Sequence, residues 1–517
     1  MTQYTAKRLI SGSALQAVNF GSQIVVAFFL TPFVIHSLGD RMYGFWTLVG
    51  AFIGYYGMLD LGLDAAVSRH LAAALGKGRT EECADLFSTA LQLYTALGFV
   101  VVLATFVIAA VSPLLVHHHQ DAALFAKVIL ILGFSLGLSF PAKTFAGLLN
   151  AELRLDALAL VDILTLLLRS TFVVIVLLAG GRILALAWVT FICSLPGIAV
   201  YAFLSRRQCP WLRFRRQPWF GQSTKSLFSY GVYALVGNLS NQLRFNVDAF
   251  VIAAFVSLAS VTHFRIAGLM ASYYMSLMIA LSATIQPWFS RMEGAGDSRA
   301  IQRGFLFATK LAFCAASFIG FGLIAWGKSF IHCWVGTSYL DAYPCLLVLV
   351  PGYIIALAQF PSISLMFGTS KHRFLALINS VEGVANLILS IWLAGKLGIF
   401  GVALGTFIPM ALVKLIVQPI YVCRISGVPY GTYMREMGRS ALVVAAGLIV
   451  PGVIAVRFAV PSYSSLTLVA LASLACYAPV VFLLQFTKQE RESLKRIALP
   501  GFKAARYSKV LPERAAR

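Results

Sequence analysis

The chain has 517 residues, 59% of them hydrophobic and 12% charged, with a mean hydropathy of +0.84. Soluble domains carry about twice that charged fraction, so a chain of ordinary soluble domains is excluded. A net charge of +22 would point to nucleic acid in a soluble protein, so the position of the basic residues decides what it means.

In chain order, fourteen apolar segments are long enough to cross a bilayer: about 11–36, 43–68, 83–111, 122–149, 157–179, 183–204, 226–256, 260–289, 302–327, 342–367, 374–394, 397–423, 439–456 and 464–486. With the N-terminus inside, the cytoplasmic connections hold 29 of the 41 Lys and Arg, the outer ones 5 and the spans 7. That asymmetry follows the positive-inside rule for two cytoplasmic termini. The fold class read from this is an all-α polytopic membrane protein. Topology accounts for the basic charge, and no nucleic-acid partner is expected. Lys7 and Arg8 precede a run too long for a signal peptide, so it reads as an uncleaved first span. Eight scattered cysteines without a CxxC pair read as packing residues rather than metal or disulfide partners.

The second span sits in LGDRMYGFWTLVGAFIGYYGMLDLGLDAAVSR, residues 38–69, and contains two acids. As one helix it would carry Tyr56, Asp60 and Asp64 on one face. Part of the pattern returns about 217 residues later. Phe33-Val34-Ile35 recurs as Phe250-Val251-Ile252, and Gly50, Tyr55 and Tyr56 recur as Gly268, Tyr273 and Tyr274. LALAWVTFI (184–192) matches FGVALGTFI (400–408). The agreement of these offsets reads as a duplication of six spans, both copies entering the membrane in the same direction. The expected organisation is an N-lobe over 1–204, a linker over 205–225, a C-lobe over 226–423, two further spans over 424–486 and a basic tail over 487–517. The linker alternates Arg with Trp and Phe, which suits a surface meeting anionic membrane lipids. The tail reads as a surface helix followed by a polar end.

Charges inside spans carry the functional argument. Besides Asp60 and Asp64 there are Lys143, Asp162, Arg169, Arg244, Asp248, Arg265, Lys310, Glu382 and Lys414. Asp162, near a span end, can snorkel and weighs less. Arg244 and Asp248, one turn apart, are placed to pair. A charge at a span centre costs from about 2.5 kcal/mol upward, so several cations imply a wet path. The set Lys143, Arg169, Arg244, Arg265, Lys310 and Lys414 would suit an anionic headgroup, since guanidinium grips phosphate through two parallel hydrogen bonds. Tyr55, Tyr56, Tyr273 and Tyr274, at equivalent places in both halves, are candidates to stack on sugar rings; helix packing is the competing explanation. Asn19, Gln23, Asn238, Asn241 and Gln242 add hydrogen-bonding capacity to spans 1 and 7. No HExxH, phosphate-binding loop or nucleophile elbow occurs, and His117-His118-His119 with Asp121 reads as a solvated outer loop.

LGDRMYGFW followed by YYGMLDLGLDAAVSRHLA resembles the start of the polysaccharide-export, Wzx-type family of lipid-linked oligosaccharide flippases in the MOP superfamily, whose relatives include MATE exporters and MurJ. The resemblance implies two six-helix lobes around a cavity alternately open to each side. It also implies a polyprenyl-pyrophosphate-linked oligosaccharide as cargo, contacted by cavity cations. No catalytic residue and no cofactor beyond a coupling ion, H+ or Na+, is expected. Asp60, Asp64, Arg69, Asp248 and Glu382 are the ion-coupling or gating candidates. Other polysaccharide-assembly proteins are expected partners. A membrane polymerase or ligase, or a MATE-like drug exporter, are the alternatives; the first predicts a large outer loop and the second an acidic cavity.

Overall fold

The structure, a computed structural model, describes the chain except residues 1–2, 61, 116–118, 211, 213, 216–217, 219–220, 222–237, 283–284, 372, 459, 461 and 499–517. His117 and His118, the end of the tail and part of the linker therefore lie outside the described residues, while Asp121, expected in a solvated loop, is buried in a helix and paired with Arg41. Every regular element among the described residues is helical. In order these are α1 (Gln3–Leu38), α2 (Asp40–Tyr56), a 3-10 turn (Gly57–Asp60), α3 (Leu63–Gly76), α4 (Thr80–Leu115), α5 (His119–Ala151), α6 (Leu155–Leu178) and α7 (Ile183–Gln208). Then come α8 (Val247–Phe255), α9 (Leu258–Ser282), α10 (Ile285–Gly294), α11 (Ser298–Trp334), α12 (Ala342–Ala358), α13 (Phe360–Gly368) and α14 (Arg373–Leu412). A π-helical turn (Val413–Val417) leads to α15 (Gln418–Ser426), α16 (Tyr430–Gly447), α17 (Ile449–Arg457), α18 (Tyr463–Leu484) and α19 (Lys488–Ala498).

Eleven stretches among the described residues are long and apolar enough to cross a membrane, against fourteen expected. The difference has three local origins. The second span is not one helix: it stops at the 3-10 turn and restarts after Gly62, whose φ of +71° only glycine adopts without strain. The start of the seventh, 226–237, lies outside the described residues, leaving a short helix over 238–245 and α8. The eleventh and twelfth run together as one helical stretch, with a kink at Gly398 (φ +58°) where the sequence divided them at 395–396.

The chain divides into two compact units. The first comprises residues 1–273, 334–349 and 373–410, the second 274–333, 350–372 and 411–517. In the first unit, helices approach closely where glycines face each other: a Cβ on Gly98 of α4 would stand 2.4 Å from the carbonyl oxygen of Gly137 on α5. Gly44, the glycine of the MYGFW motif, lets α2 meet the start of α9, since a Cβ there would lie 1.8 Å from the Leu258 carbonyl oxygen. The same corner is tied by Thr262 Oγ1, which donates to the Asp40 carbonyl at 2.6 Å. His263 lies between Asp341 (2.5 Å) and Asp40 (3.6 Å), and the Tyr339 hydroxyl donates to Asp40.

Burial agrees at some of the positions that the repeat would equate and not at others: Leu63 is buried, whereas Leu281, at the same offset as the tyrosines, is 58% exposed. Val34 and Ile35 are buried, as are their matches Val251 and Ile252; Tyr56 and Tyr274 are buried, while Tyr55 and Tyr273 are half-buried. In the second unit, Tyr477 of α18 stacks on Phe318 and donates to the Cys314 carbonyl, joining α18 to α11.

Candidate functional site: a cavity lined by cations

Within the first unit, α1, α2, α5, α6, α7 and α9 enclose a cavity of about 940 Å³. Several of these helices contribute one face at helical spacing. α5 gives Ser139, Ala142, Lys143 and Ala146; α6 gives Asp162, Thr165, Leu166 and Arg169; α7 gives Ser194, Gly197, Ile198 and Tyr201. Tyr43 and Trp46 come from α2, Gln23 and Thr31 from α1, and Arg265 from α9. A side hollow of about 320 Å³ shares Trp46, Ser139, Thr165, Arg169 and Ser194 with it.

Three of the six nominated cations, Lys143, Arg169 and Arg265, line this space. They come from three helices and face one lining carboxylate, Asp162. Lys143 also bonds Asp60 at 3.2 Å and lies over the Phe140 ring. Asp60 is 8% exposed and accepts from the Asp64 backbone N–H at 3.4 Å. It thus belongs to the turn that restarts α3 rather than to an uninterrupted polar stripe. Asp64 and Arg69 are exposed on α3.

The other cations have different surroundings. Arg244 does not pair with Asp248. Its Nε donates to Glu382 Oε1 at 2.7 Å, and both side chains are almost wholly buried. The helix carrying Arg244 ends before α8 begins at Val247, so the one-turn relation to Asp248 is lost. Asp248 instead lies 3.2 Å from Thr406 Oγ1, whose single O–H can be given to it or to Asn386 Oδ1 at 3.3 Å, and the Ser390 hydroxyl donates to Asn386 Oδ1. Lys310 of α11 bonds Glu490 of α19 at 2.7 Å and lies 3.9 Å from Glu436 of α16. Burial works to raise the Glu490 pKa, but Lys310 and the Thr487 N–H outweigh it and hold the carboxyl below its ordinary range. Lys414 is buried in the π turn and donates to Gln418 at 3.0 Å.

None of the four nominated tyrosines lines this cavity. The Tyr55 hydroxyl reaches the Gln242 carbonyl at 3.4 Å, its ring meeting Phe250 edge-on. Tyr274 donates to the Ala316 carbonyl at 2.6 Å, and Tyr273 meets Trp334 edge-on. The lining aromatics are Tyr43, Trp46 and Tyr201, which the sequence reading had not singled out. Tyr43 and Trp46 share the i, i+3 spacing inside the MYGFW motif, the one signal that would have found them. Asp162, discounted for its place near a span end, accepts from Tyr201 Oη at 2.5 Å and from Asn19 Nδ2 at 3.4 Å.

The family described as polysaccharide biosynthesis protein matches residues 9–293, more than half of the chain. The chain belongs to that family. The chain is 24% identical over 493 residues to "Uncharacterized membrane protein EpsK" of Bacillus subtilis, covering 91% of this chain and 94% of that protein. It is 23% identical to the "Putative O-antigen transporter" of Shigella flexneri, covering 80% and 97%. Its fold is shared with the lipid II flippase MurJ in an inward closed conformation (TM-score 0.70, 14% identity, 95% of this chain and all of MurJ). The inward-facing state of a MATE multidrug transporter of the MOP superfamily also shares it (TM-score 0.67, 15% identity, 81% and 98%). This family member is thus a multi-pass inner-membrane protein with the fold of MOP-superfamily transporters.

Proposed function

We propose that this protein is a flippase that carries a polyprenyl-pyrophosphate-linked oligosaccharide from the cytoplasmic to the periplasmic leaflet by alternating access. The supporting observation is the cavity in which Lys143, Arg169 and Arg265 converge from three helices. Three cations in a space between membrane helices match a pyrophosphate, which guanidinium groups bind bidentately. Three lining cations, of which Lys143 is paired with Asp60, outnumber the one lining carboxylate and disfavour an organic cation as cargo. The family, and relatives named as an O-antigen transporter and a lipid II flippase, support a saccharide-bearing lipid. In this reading the chain crosses the membrane fourteen times with both termini inside, and two six-helix lobes rock about the cargo.

A coupling cation, proton or sodium, would drive the cycle from the buried cluster around Asp248. Thr406 and Asn386 supply neutral oxygen there, and Asp248 Oδ1 has no hydrogen-bond partner among the described residues. The experiment is the leaflet distribution of the lipid-linked repeat unit in a strain lacking the gene. Retention in the cytoplasmic leaflet, relieved by the wild-type gene and not by Arg169→Ala, is expected. An unchanged distribution would overturn the reading.

A further inference from the structure

The cavity has a second chemical pole. Asp162 opens into it from α6 without a cationic partner among the described residues. Only neutral donors reach it: Tyr201 at 2.5 Å on one oxygen and the buried Asn19 at 3.4 Å on the other. Asn19 is held in turn by Gln23, whose Nε2 donates to its Oδ1 at 3.4 Å. Arg169 projects from the same face of α6 seven residues on, about 10 Å along the axis at the helical rise.

We infer that Asp162, with Tyr201 beside it and Asn19 positioning it, reads sugar hydroxyls of the cargo while Arg169 holds its phosphates. The inference rests on the flippase reading and assigns the saccharide its own contacts. A carboxylate with each oxygen already taking one neutral donor keeps lone pairs that accept two adjacent hydroxyls of a pyranose. Tyr201 and Gln23, both in the lining, supply further polar groups. Tyr43 and Trp46, from α2, offer aromatic faces to the less polar side of a ring. A separation of about 10 Å along α6 is comparable with a disaccharide, so phosphate and sugar poles are engaged together. An inorganic cation fits this pole less well. Asp162 is the one lining carboxylate, and no group of three or more His, Cys, Asp or Glu that could hold a metal occurs among the described residues.

The test uses the full-length protein in lipid nanodiscs and two probes, bare undecaprenyl pyrophosphate and the saccharide-bearing form extracted from the host. The wild type should prefer the saccharide-bearing lipid. Asp162→Asn and Tyr201→Phe should each weaken that lipid by about tenfold, as expected for a lost charge-assisted hydrogen bond, and leave the bare lipid within about twofold. Arg169→Ala should weaken both. Tyr201→Phe keeps the ring, so its effect on the saccharide form alone is not a folding defect; equal melting temperatures check this. Equal loss on both probes, or no loss on either, would overturn the inference. So would an Asp162→Asn variant whose only change is in ion dependence. Equal wild-type affinity for the two lipids would sink the sugar-reading pole and leave the flippase reading standing. Binding of neither would end both.

Discussion

Arg169 and Arg244 look alike in the sequence, each an arginine well inside an apolar span. In the fold they part company. Arg169 is open to a large cavity with Lys143 and Arg265, while Arg244 is buried against Glu382, which is 138 residues away. Both arrangements answer the cost of a cation in hydrocarbon, one by hydration and the other by an opposite charge. The lesson is that a charge in a span marks a solution to an electrostatic problem, and only its partner tells whether that solution is available to a ligand.

The comparison can be broken most directly at the cavity. Arg169→Ala and Arg265→Ala should each cut glycan export by about a hundredfold or abolish it, with membrane levels of the protein unchanged, as read by surface polysaccharide and immunoblot. Next comes the buried pair. Arg244→Ala should cost about 3–5 kcal/mol of stability by removing the cation that Glu382 is buried against, seen as a lower melting temperature in detergent. Arg244→Met combined with Glu382→Leu should recover most of it. A stable Arg244→Ala protein that fails only in export would place Arg244 with the cargo contacts and erase the distinction.

A smaller effect sharpens the same contrast at Lys310, a span cation answered by a residue of the tail helix. Glu490 has a folded-state pKa below its ordinary value of 4.5, so its contribution is complete above that pH. It is lost as pH falls through the lowered folded value. Acidification below about pH 4.5 should therefore expose α19 to protease, and Glu490→Gln should expose it with no pH dependence in that window. The smallest effects are expected at Tyr55→Phe, whose hydroxyl makes one long bond, and at the exposed Arg435→Ala. Both should export normally and melt within about 0.5 kcal/mol of the wild type.

Hydropathy made most of the helices legible, because a bilayer demands about twenty apolar residues per crossing whatever the packing. It missed the break after Tyr56, where Gly57 and Gly62 sit in a run whose apolarity does not change. The face shared by Tyr56, Asp60 and Asp64 presumed a continuous helix, so that inference failed with it. In the site, Lys143, Arg169 and Arg265 stood out as expensive residues. Asp162 did not, since a carboxylate two turns from a helix start is expected to reach water unaided. The partners Asp60–Lys143, Arg244–Glu382 and Lys310–Glu490 are separated by 83, 138 and 180 residues. No local pattern connects them.

Gly44 carries a consequence for any survey of substitutions in this chain. Every side chain at that position would intrude on the Leu258 carbonyl, so a growth or export screen would score it as severely as a cargo contact. Yet its neighbours there are the Leu258 carbonyl and the Thr262 hydroxyl, neither of them a cargo contact. Sorting intolerant positions by whether the variant still reaches the membrane intact would separate joints of this kind from the residues that handle freight.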